Sequence, residues 1–183
     1  MADSAGRGHE LTDRLDLRAL SLTDADAMYR IMADARTRAY IPGGAHDSAE
    51  TTRAWVERYS ARWHVNGIGY WSARLRETGD VVGVGGVDRR QDFWNLYYLI
   101  DPARWGLGYA TELAVAGQQA AAAIDPDLPL AAWIHADNVA SQRVARRLGL
   151  RDYGRLEPEH WKGEPMHYWA DRDPGAPRNQ QPG

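Results

Sequence analysis

Two glycines, Gly106 and Gly108, stand between an apolar segment and an alanine-rich segment. The apolar segment that ends at Ile100 predicts a buried strand, and the segment from Thr111 to Ile124 predicts a helix. The first turn of a helix carries backbone N–H groups without partners and a partial positive charge from the helix dipole. Glycines at this point let a ligand approach the backbone closely. The spacing therefore predicts a site for an anion such as a pyrophosphate.

One cation lies close to this glycine pair in the sequence. Arg104 offers a guanidinium, which forms strong charge-assisted hydrogen bonds with phosphate oxygens. A single G-x-G pair also occurs in turns that only change the direction of the chain, so alone it is a weak signal. Here a predicted strand precedes the pair, a predicted helix follows it, and a second motif lies downstream. This combination favours the phosphate interpretation.

The second motif is the segment NVASQRVARRLG, residues 138–149, which predicts a helix after a short strand. Asn138 and Ser141 lie three positions apart near its start, so they share one face. Asn and Ser are common helix caps, and capping explains the pair without a ligand. Taken alone, the motif favours capping.

Composition restricts the classes of protein and site. The chain has 183 residues, 44% of them hydrophobic, which suits one domain with a core. It has no cysteine, which excludes disulfides, thiolate metal sites and a cysteine nucleophile, and we expect no metal. A net charge of −3 opposes binding to nucleic acid, and no apolar run suits a signal peptide or a membrane span. We therefore expect a cytoplasmic protein that binds neither nucleic acid nor membranes.

Periodicity predicts a mixed α/β domain. Alternating or continuous apolar runs indicate strands, and apolar residues at helical spacing indicate helices. The predicted strands span residues 14–20, 70–75, 81–87, 93–100, 130–135, 150–157 and 165–171. Two predicted helices follow Thr23 and Ser48 as N-caps, and two more span residues 111–124 and 138–148. Helices alternate with strands only in the second half, which predicts a mixed sheet with a parallel element near its middle.

The ends of the chain differ in composition from its middle. Residues 1–10 are mostly small and polar, and residues 174–183 hold three Pro and two Gly with almost no apolar side chain. Such segments bury too little apolar surface to offset the entropy of ordering the chain. We therefore expect a flexible N-terminus over 1–10, one domain over 11–172 and a disordered tail over 173–183.

Four segments, in this order, closely resemble the GNAT acetyltransferase superfamily, in particular its RimJ/RimL-like N-acetyltransferase branch. They are LRALSLTDADAMYRIMAD near the start, WGLGYATE in the middle, HADNVASQRVARRLGL later and HYWA near the end. The resemblance runs from about Leu15 to Ala170. It implies a GNAT-type fold, with a central, mostly antiparallel sheet and about four flanking helices. One parallel strand pair, 93–100 with 130–135, would be splayed, and acetyl-CoA would be the cosubstrate.

The resemblance also implies roles for the residues of both motifs. Leu99 and Ile100 would end the strand whose backbone pairs with the pantetheine arm of the coenzyme. Asn138 would hold the pantetheine arm or the thioester side. Ser141 would lie near the coenzyme sulfur, where it is our candidate for the general acid. The implied pyrophosphate loop consists of Trp105, Gly106, Leu107, Gly108, Tyr109, Ala110 and Thr111, beside Arg104.

The sequence departs from the family pattern at two positions for proton transfer. Many members carry a Glu in the strand before the loop, where this chain has Asn95, which cannot act as a base near neutral pH. Some relatives use a Tyr seven residues after the Asn as general acid, and here that position is Ala145. The candidates for the base are a water chain and four side chains, of which His135 is our first choice. The other three are Glu112, His160 and His167.

Together these observations predict an enzyme that transfers acetyl from acetyl-CoA to a primary amine by direct attack in a ternary complex. The acceptor is a protein N-terminus or a small-molecule amine, and a homodimer is compatible with the resemblance. The alternative is a sensor or regulatory module that binds acyl-CoA without turnover. The glycines of residues 83–86 do not indicate a dinucleotide-binding domain, because no helix start follows them. We expect them to mark a bulge or a close backbone approach in a strand.

Gly108→Glu tests the phosphate interpretation of the loop. We expect the folded variant to lose coenzyme A binding, because the new side chain would fill the phosphate site with bulk and negative charge. Titration calorimetry with coenzyme A measures the affinity. Undiminished affinity in a folded variant would contradict the assignment of this loop.

Overall fold

One sheet of eight strands forms the frame of the protein within residues 8–37, 40, 44–155 and 165–173, which the computed structural model describes. The strands are β1 His9–Leu11, β2 Leu15–Ala19, β3 Tyr70–Leu75, β4 Val81–Arg89, β5 Trp94–Ile100, β6 Leu130–His135, β7 Arg151–Arg155 and β8 Met166–Ala170. The helices are α1 Ala25–Met32, α2 Ala49–Asn66, α3 Tyr109–Ile124 and α4 Val139–Arg147. This order confirms the predicted mixed α/β class.

The sheet is antiparallel except at one strand pair. Its strand order is β1-β2-β3-β4-β5-β6-β8-β7, and only β5 and β6 run parallel among these strands. β5 and β6 are in register only at Trp94 with Leu130 and at Asn95 with Ala131. The Trp94 N–H also donates to the Pro129 carbonyl at 2.7 Å. Because the pairing stops there, the two strands separate toward their carboxyl ends, which confirms the predicted splayed pair.

The two faces of the sheet are covered by different helices. Met28 of α1 and Val56 of α2 share an apolar cluster with Tyr97 of β5. Ala114 of α3 and Val144 of α4 share another cluster with Leu96 of β5. Because successive side chains of a strand point to opposite faces, β5 is buried on both sides, as its apolar sequence predicts. None of the described helices is long and apolar enough to cross a bilayer.

Capping residues mark the start of the 3-10 turn before α1 and the start of α2. The Ser21 N–H donates to Asp24 Oδ2 at 2.9 Å, and Ser21 is extended (φ −140°, ψ 165°), as an N-cap must be. A 3-10 turn follows and leads into α1, so Thr23, the predicted N-cap, lies inside that turn. At α2 the prediction is confirmed, since Ser48 Oγ accepts the Thr51 N–H at 3.0 Å.

The chain before β2 forms a strand that periodicity does not predict. β1 pairs antiparallel with β2, with His9 opposite Arg18. Every residue of β1 is exposed, so the strand has no apolar alternation to reveal it. Residues 1–7 and 174–183 lie outside the described residues, so the flexible terminus, the domain boundaries and the disordered tail stay predictions.

Glycines in β4 bring its backbone close to β5. A Cβ at Gly83 would lie 2.5 Å from the Leu99 carbonyl oxygen, and one at Gly85 would lie 2.5 Å from the Tyr97 carbonyl oxygen. No larger side chain fits at these two positions without moving the neighbouring strand. The structure therefore confirms the predicted close backbone approach, inside a strand and away from any helix start.

Candidate functional site

The glycine loop joins the open end of β5 to α3. Asp101 accepts the Ala103 N–H at 2.8 Å and starts a short 3-10 turn. Gly106 and Gly108 then adopt φ values of 80° and 86°, the left-handed region that favours glycine. Gly108 is the N-cap of α3, so the helix begins at Tyr109, slightly before its predicted start. The predicted strand, glycine loop and helix are present in that order.

The backbone amides of this loop point to a binding site. Within the described part of the chain, no hydrogen bond engages the N–H groups from Gly106 to Thr111. The next amide, that of Glu112, donates to the Gly108 carbonyl at 3.1 Å. A Cβ at Gly106 would meet no atom within 4 Å, so open space adjoins the loop. These amides, together with the dipole of α3, form a site suited to an anion.

Arg14, directly before β2, clamps the loop from the other side. Its Nη1 donates to the Leu107 carbonyl at 2.8 Å. Its Nη2 lies 2.7 Å from Glu112 Oε2, and its guanidinium carbon lies 4.6 Å from the centre of the Tyr109 ring. Sequence reasoning missed this residue, because 98 positions separate Arg14 from Glu112 and no local pattern links them.

The carboxylate of Glu112 is engaged in this clamp. Its Oε1 accepts the Arg14 backbone N–H at 2.8 Å and the Thr12 hydroxyl at 2.5 Å. Burial acts to raise the pKa of Glu112, but the hydrogen bonds from Thr12 and Arg14 outweigh it and lower that pKa. A carboxylate that is stabilised in its charged form and already accepts several hydrogen bonds is a poor base, so the geometry does not support Glu112 in that role.

Two further guanidinium groups lie near the loop. Arg104, the sequence candidate for a phosphate contact, has its Nη2 at 3.8 Å from Asp80 Oδ2 and keeps 40% of its side chain exposed. Arg147 of α4 donates from Nη1 to Thr111 Oγ1 at 3.5 Å. Sequence reasoning did not single out Arg147, which brings positive charge to the first turn of α3.

Strand alternation decides which backbone groups of β5 face the gap between β5 and β6. The Asp101 N–H, just past β5, donates to the Val82 carbonyl on the β4 side at 2.8 Å. The Trp94 N–H donates in the opposite direction, to Pro129 on the β6 side. Because this direction alternates along a strand, odd-numbered residues of β5 turn their backbone groups to β4 and even-numbered residues turn theirs to the gap.

Because of this alternation, the backbone groups of Leu99 and Ile100 point in opposite directions. The resemblance assigns both residues to the end of the strand that pairs with the pantetheine arm. Ile100 faces the gap, whereas Leu99 pairs with Val84 and directs its backbone groups to β4. The indole N–H of Trp105 donates to the Ile100 carbonyl at 2.8 Å and closes off that oxygen. Tyr98, which sequence reasoning did not select, has both of its backbone groups turned to the gap.

Asn138 and Ser141 lie at the start of α4, directly after β6. Asn138 Oδ1 accepts the Ser141 N–H at 3.0 Å, so Asn138 is the N-cap of the helix. This bond uses only the oxygen of the Asn138 amide. Asn138 Nδ2 has no hydrogen-bond partner among the described residues. Capping and ligand binding are therefore compatible in this pair.

His135 lies at the carboxyl end of β6, on the face covered by α1 and α2. Its Nδ1 accepts the Asp137 N–H at 3.1 Å, which places the proton of the neutral ring on Nε2. Its ring stands edge-on to that of Tyr40, with the centroids 6.2 Å apart. In this arrangement Nε2 of His135 can donate a hydrogen bond, whereas Nδ1 can accept a proton only after its bond to the Asp137 N–H breaks.

Of the other histidine candidates for the base, only His167 lies in the described part of the chain, and it is not at the gap between β5 and β6. His167 Nδ1 lies 2.9 Å from Asp152 Oδ2, at the edge formed by β7 and β8. His167 shares its face of β8 with Trp169, which packs in the cluster beneath α3 and α4. Its ring is thus on the opposite face from His135. His160 lies outside the described residues.

A buried carboxylate lies opposite Asn95, where many family members carry a Glu. Asn95 is in register with Asp88 of β4 and donates from Nδ2 to the Tyr70 hydroxyl at 3.0 Å. Asp88 is 0% exposed, and neither carboxylate oxygen has a hydrogen-bond partner among the described residues. Arg90 Nη2 lies 3.2 Å from Oδ2 and Arg62 Nε lies 3.9 Å from Oδ1. Burial raises the pKa of Asp88 against the effect of both guanidinium groups.

Arg14→Met removes the clamp and keeps an unbranched side chain. We expect the affinity for coenzyme A to fall about tenfold, because the Leu107 carbonyl and Glu112 lose their charged donor and the loop loses its fixed shape. Titration calorimetry measures this. Arg18→Met is the matched control, since Arg18 pairs with Asp16 on β2 and touches no part of the loop. Equal affinities for wild type and Arg14→Met would show that the clamp is dispensable.

The chain is similar to known proteins in sequence and in fold. The acetyltransferase (GNAT) domain family matches residues 14–151. The uncharacterized protein YkkB of Bacillus subtilis (strain 168) is 27% identical over 144 residues, which cover 76% of this chain and 83% of YkkB. The crystal structure of an acetyltransferase from Agrobacterium tumefaciens str. C58 is similar to this structure, with a TM-score of 0.76 over 90% of this chain and 94% of that chain. The two sequences are 27% identical.

A third comparison concerns the fold alone. RimL, a ribosomal L7/L12 α-N-protein acetyltransferase solved in complex with coenzyme A, is 20% identical, with a TM-score of 0.72 over 90% of this chain and 98% of that chain. This likeness shows that the two proteins have the same fold. The family match begins at Arg14 and includes the glycine loop and the start of α4, and it spans well over half of the sequence. The chain belongs to the GNAT acetyltransferase family.

Proposed function

We propose that this protein is an N-acetyltransferase that transfers the acetyl group of acetyl-CoA to a primary amine by direct attack in a ternary complex. The unengaged amides from Gly106 to Thr111 carry this proposal. They lie at the start of α3, beside the open end of the β5–β6 pair, where a ligand with a diphosphate and an extended arm fits. RimL, which has the same fold, was solved with coenzyme A.

In this proposal each part of the coenzyme meets a different element of the chain. The diphosphate accepts hydrogen bonds from the loop amides, with Arg104 and Arg147 as nearby charges. The pantetheine arm adds to the gap-facing edge of β5, next to Tyr98 and Ile100. Nδ2 of Asn138 donates to the arm, and the sulfur comes to lie near Ser141.

The acceptor amine enters the gap from the face of the sheet that α1 and α2 cover, since the glycine loop and α3 belong to the other face. His135 and Tyr40 lie on that face, at the open end of the gap. An α-amine has a pKa of about 7.7–8.0, so part of it is already neutral near neutral pH, whereas a lysine amine has about 10.4. Holding the amine against the thioester contributes several kcal/mol to lowering the barrier. An α-amine thus needs little help from His135, our candidate for the base.

Thiol release tests the proposed function. The protein is mixed with acetyl-CoA and a panel of amines, namely peptides with free N-termini, free amino acids, polyamines and aminoglycosides. We expect release of coenzyme A thiol that depends on at least one amine. Gly108→Glu should abolish it, because a Cβ at Gly108 would lie 3.3 Å from Arg14 Nη2 and the φ of 86° strains any larger residue, so the loop that holds the donor loses its shape. Tight coenzyme binding without thiol release for any amine would instead identify a sensor module.

Ser141→Ala tests whether this hydroxyl assists the leaving thiolate. We expect turnover to fall about tenfold while the affinity for acetyl-CoA stays nearly constant, because the lost hydrogen bond forms mainly with the charged leaving group. Ser60→Ala on α2 is the control, since its hydroxyl only bonds to the Glu57 carbonyl. Steady-state kinetics separates the two effects, and unchanged turnover would remove Ser141 from this role.

A further inference from the structure

Tyr98 connects β5 to α4 across the open part of the gap. Its hydroxyl donates to the Ser141 carbonyl at 3.2 Å, over a separation of 43 positions. The register between β5 and β6 ends at Asn95, so the Tyr98 side chain lies where the strands have already separated. This hydrogen bond therefore places a phenol hydroxyl at the first turn of α4, directly beside Ser141.

The surroundings of Tyr98 keep its hydroxyl protonated. The ring packs against the apolar cluster that contains Ala145, which is 1% exposed. Burial raises the pKa of Tyr98 to about 12, and a side-chain hydrogen bond with Ser141 only partly offsets this. Burial therefore favours the protonated phenol, which can donate a hydrogen bond.

Three hydrogen-bond donors belong to the first turn of α4 or lie against it. The Ala140 N–H of α4 has no hydrogen-bond partner in the described residues, and the helix dipole adds partial positive charge there. The next residue, Ser141, carries a hydroxyl, and the Tyr98 hydroxyl reaches the same turn at the Ser141 carbonyl. A developing negative charge is stabilised by such a group of preorganised donors. The amide and the two hydroxyls suit an anionic atom that appears during a reaction, as the sulfur of a leaving thiolate does.

We propose that Tyr98 is a further catalytic residue, whose hydroxyl turns from the Ser141 carbonyl to the coenzyme sulfur and donates a hydrogen bond as the thiolate leaves. This inference rests on the proposed function. The amine nitrogen forms a bond to the acetyl carbon, the carbon–sulfur bond breaks, and its electron pair stays on sulfur. The nitrogen loses one proton to solvent and the sulfur gains one, so that an amide and a thiol result.

The thiol pKa of bound coenzyme A tests this role without an acceptor amine. Reduced coenzyme A is bound to wild type, Tyr98→Phe and Tyr153→Phe, and the thiolate is titrated by its ultraviolet absorbance. We expect the thiol pKa in Tyr98→Phe to be about one pH unit higher than in wild type, because the bound thiolate loses a hydrogen bond from the phenol. Tyr153→Phe removes a hydroxyl from the edge strand β7 and should match wild type.

The outcomes separate this inference from the proposed function. Coenzyme A that binds with the same thiol pKa in wild type and Tyr98→Phe would overturn the role of Tyr98 and leave the coenzyme site intact. Coenzyme A that does not bind to wild type would overturn the proposed function itself. With an active amine, Tyr98→Phe should lower kcat about 10- to 100-fold at nearly constant KM for acetyl-CoA, because the bond forms with the leaving group. A rise in KM alone, with kcat unchanged, would count against the inference.

Discussion

The site depends on a parallel strand pair that is joined at one end only. β5 and β6 are in register at Trp94 and Asn95 and then separate, so backbone groups of Tyr98 and Ile100 face a gap and not a neighbouring strand. Because β5 and β6 run in the same direction, the helices that follow them both start at the open end. Loop amides, the edge of a strand and the first turn of α4 therefore meet in one place, as ligand sites at the carboxyl ends of parallel strands do.

The loop has to be rigid and yet keep its amides available. The negative charge of an acidic residue in the first turn of α3 interacts favourably with the helix dipole. The same charge would repel an anion that binds there. In the structure Glu112 is engaged by Thr12 and Arg14. These contacts lower the pKa of its carboxyl, and the positive charge of Arg14 offsets the negative charge of the carboxylate. The same Arg14 holds the Leu107 carbonyl, so the loop is supported through carbonyl and carboxylate oxygens. Its N–H groups stay unengaged by the described residues.

Proton-transfer groups are distributed differently here from the family pattern. Asn95 stands where many members have a Glu, and a buried carboxylate, Asp88, lies opposite it in β4. Ala145 stands where some relatives have a Tyr, and the ring of Tyr98 packs against the cluster that includes this alanine. A neighbouring strand thus brings a carboxylate opposite Asn95, because strand neighbours in a sheet lie about 5 Å apart. The Tyr98 phenol comes from β5, whose residues share that cluster with α4.

The sequence by itself determined the order and type of nearly all elements, the Ser48 cap, the glycine loop before α3 and the pairing of Asn138 with Ser141. These features follow from contacts within a few residues, and such contacts leave a local pattern of periodicity, caps and turns. Only the tertiary structure decided that Arg14 reaches Glu112 and that Tyr98 reaches Ser141, over separations of 98 and 43 positions. These pairs form because the sheet brings distant strands and helices together, and no local pattern in the sequence encodes that distance.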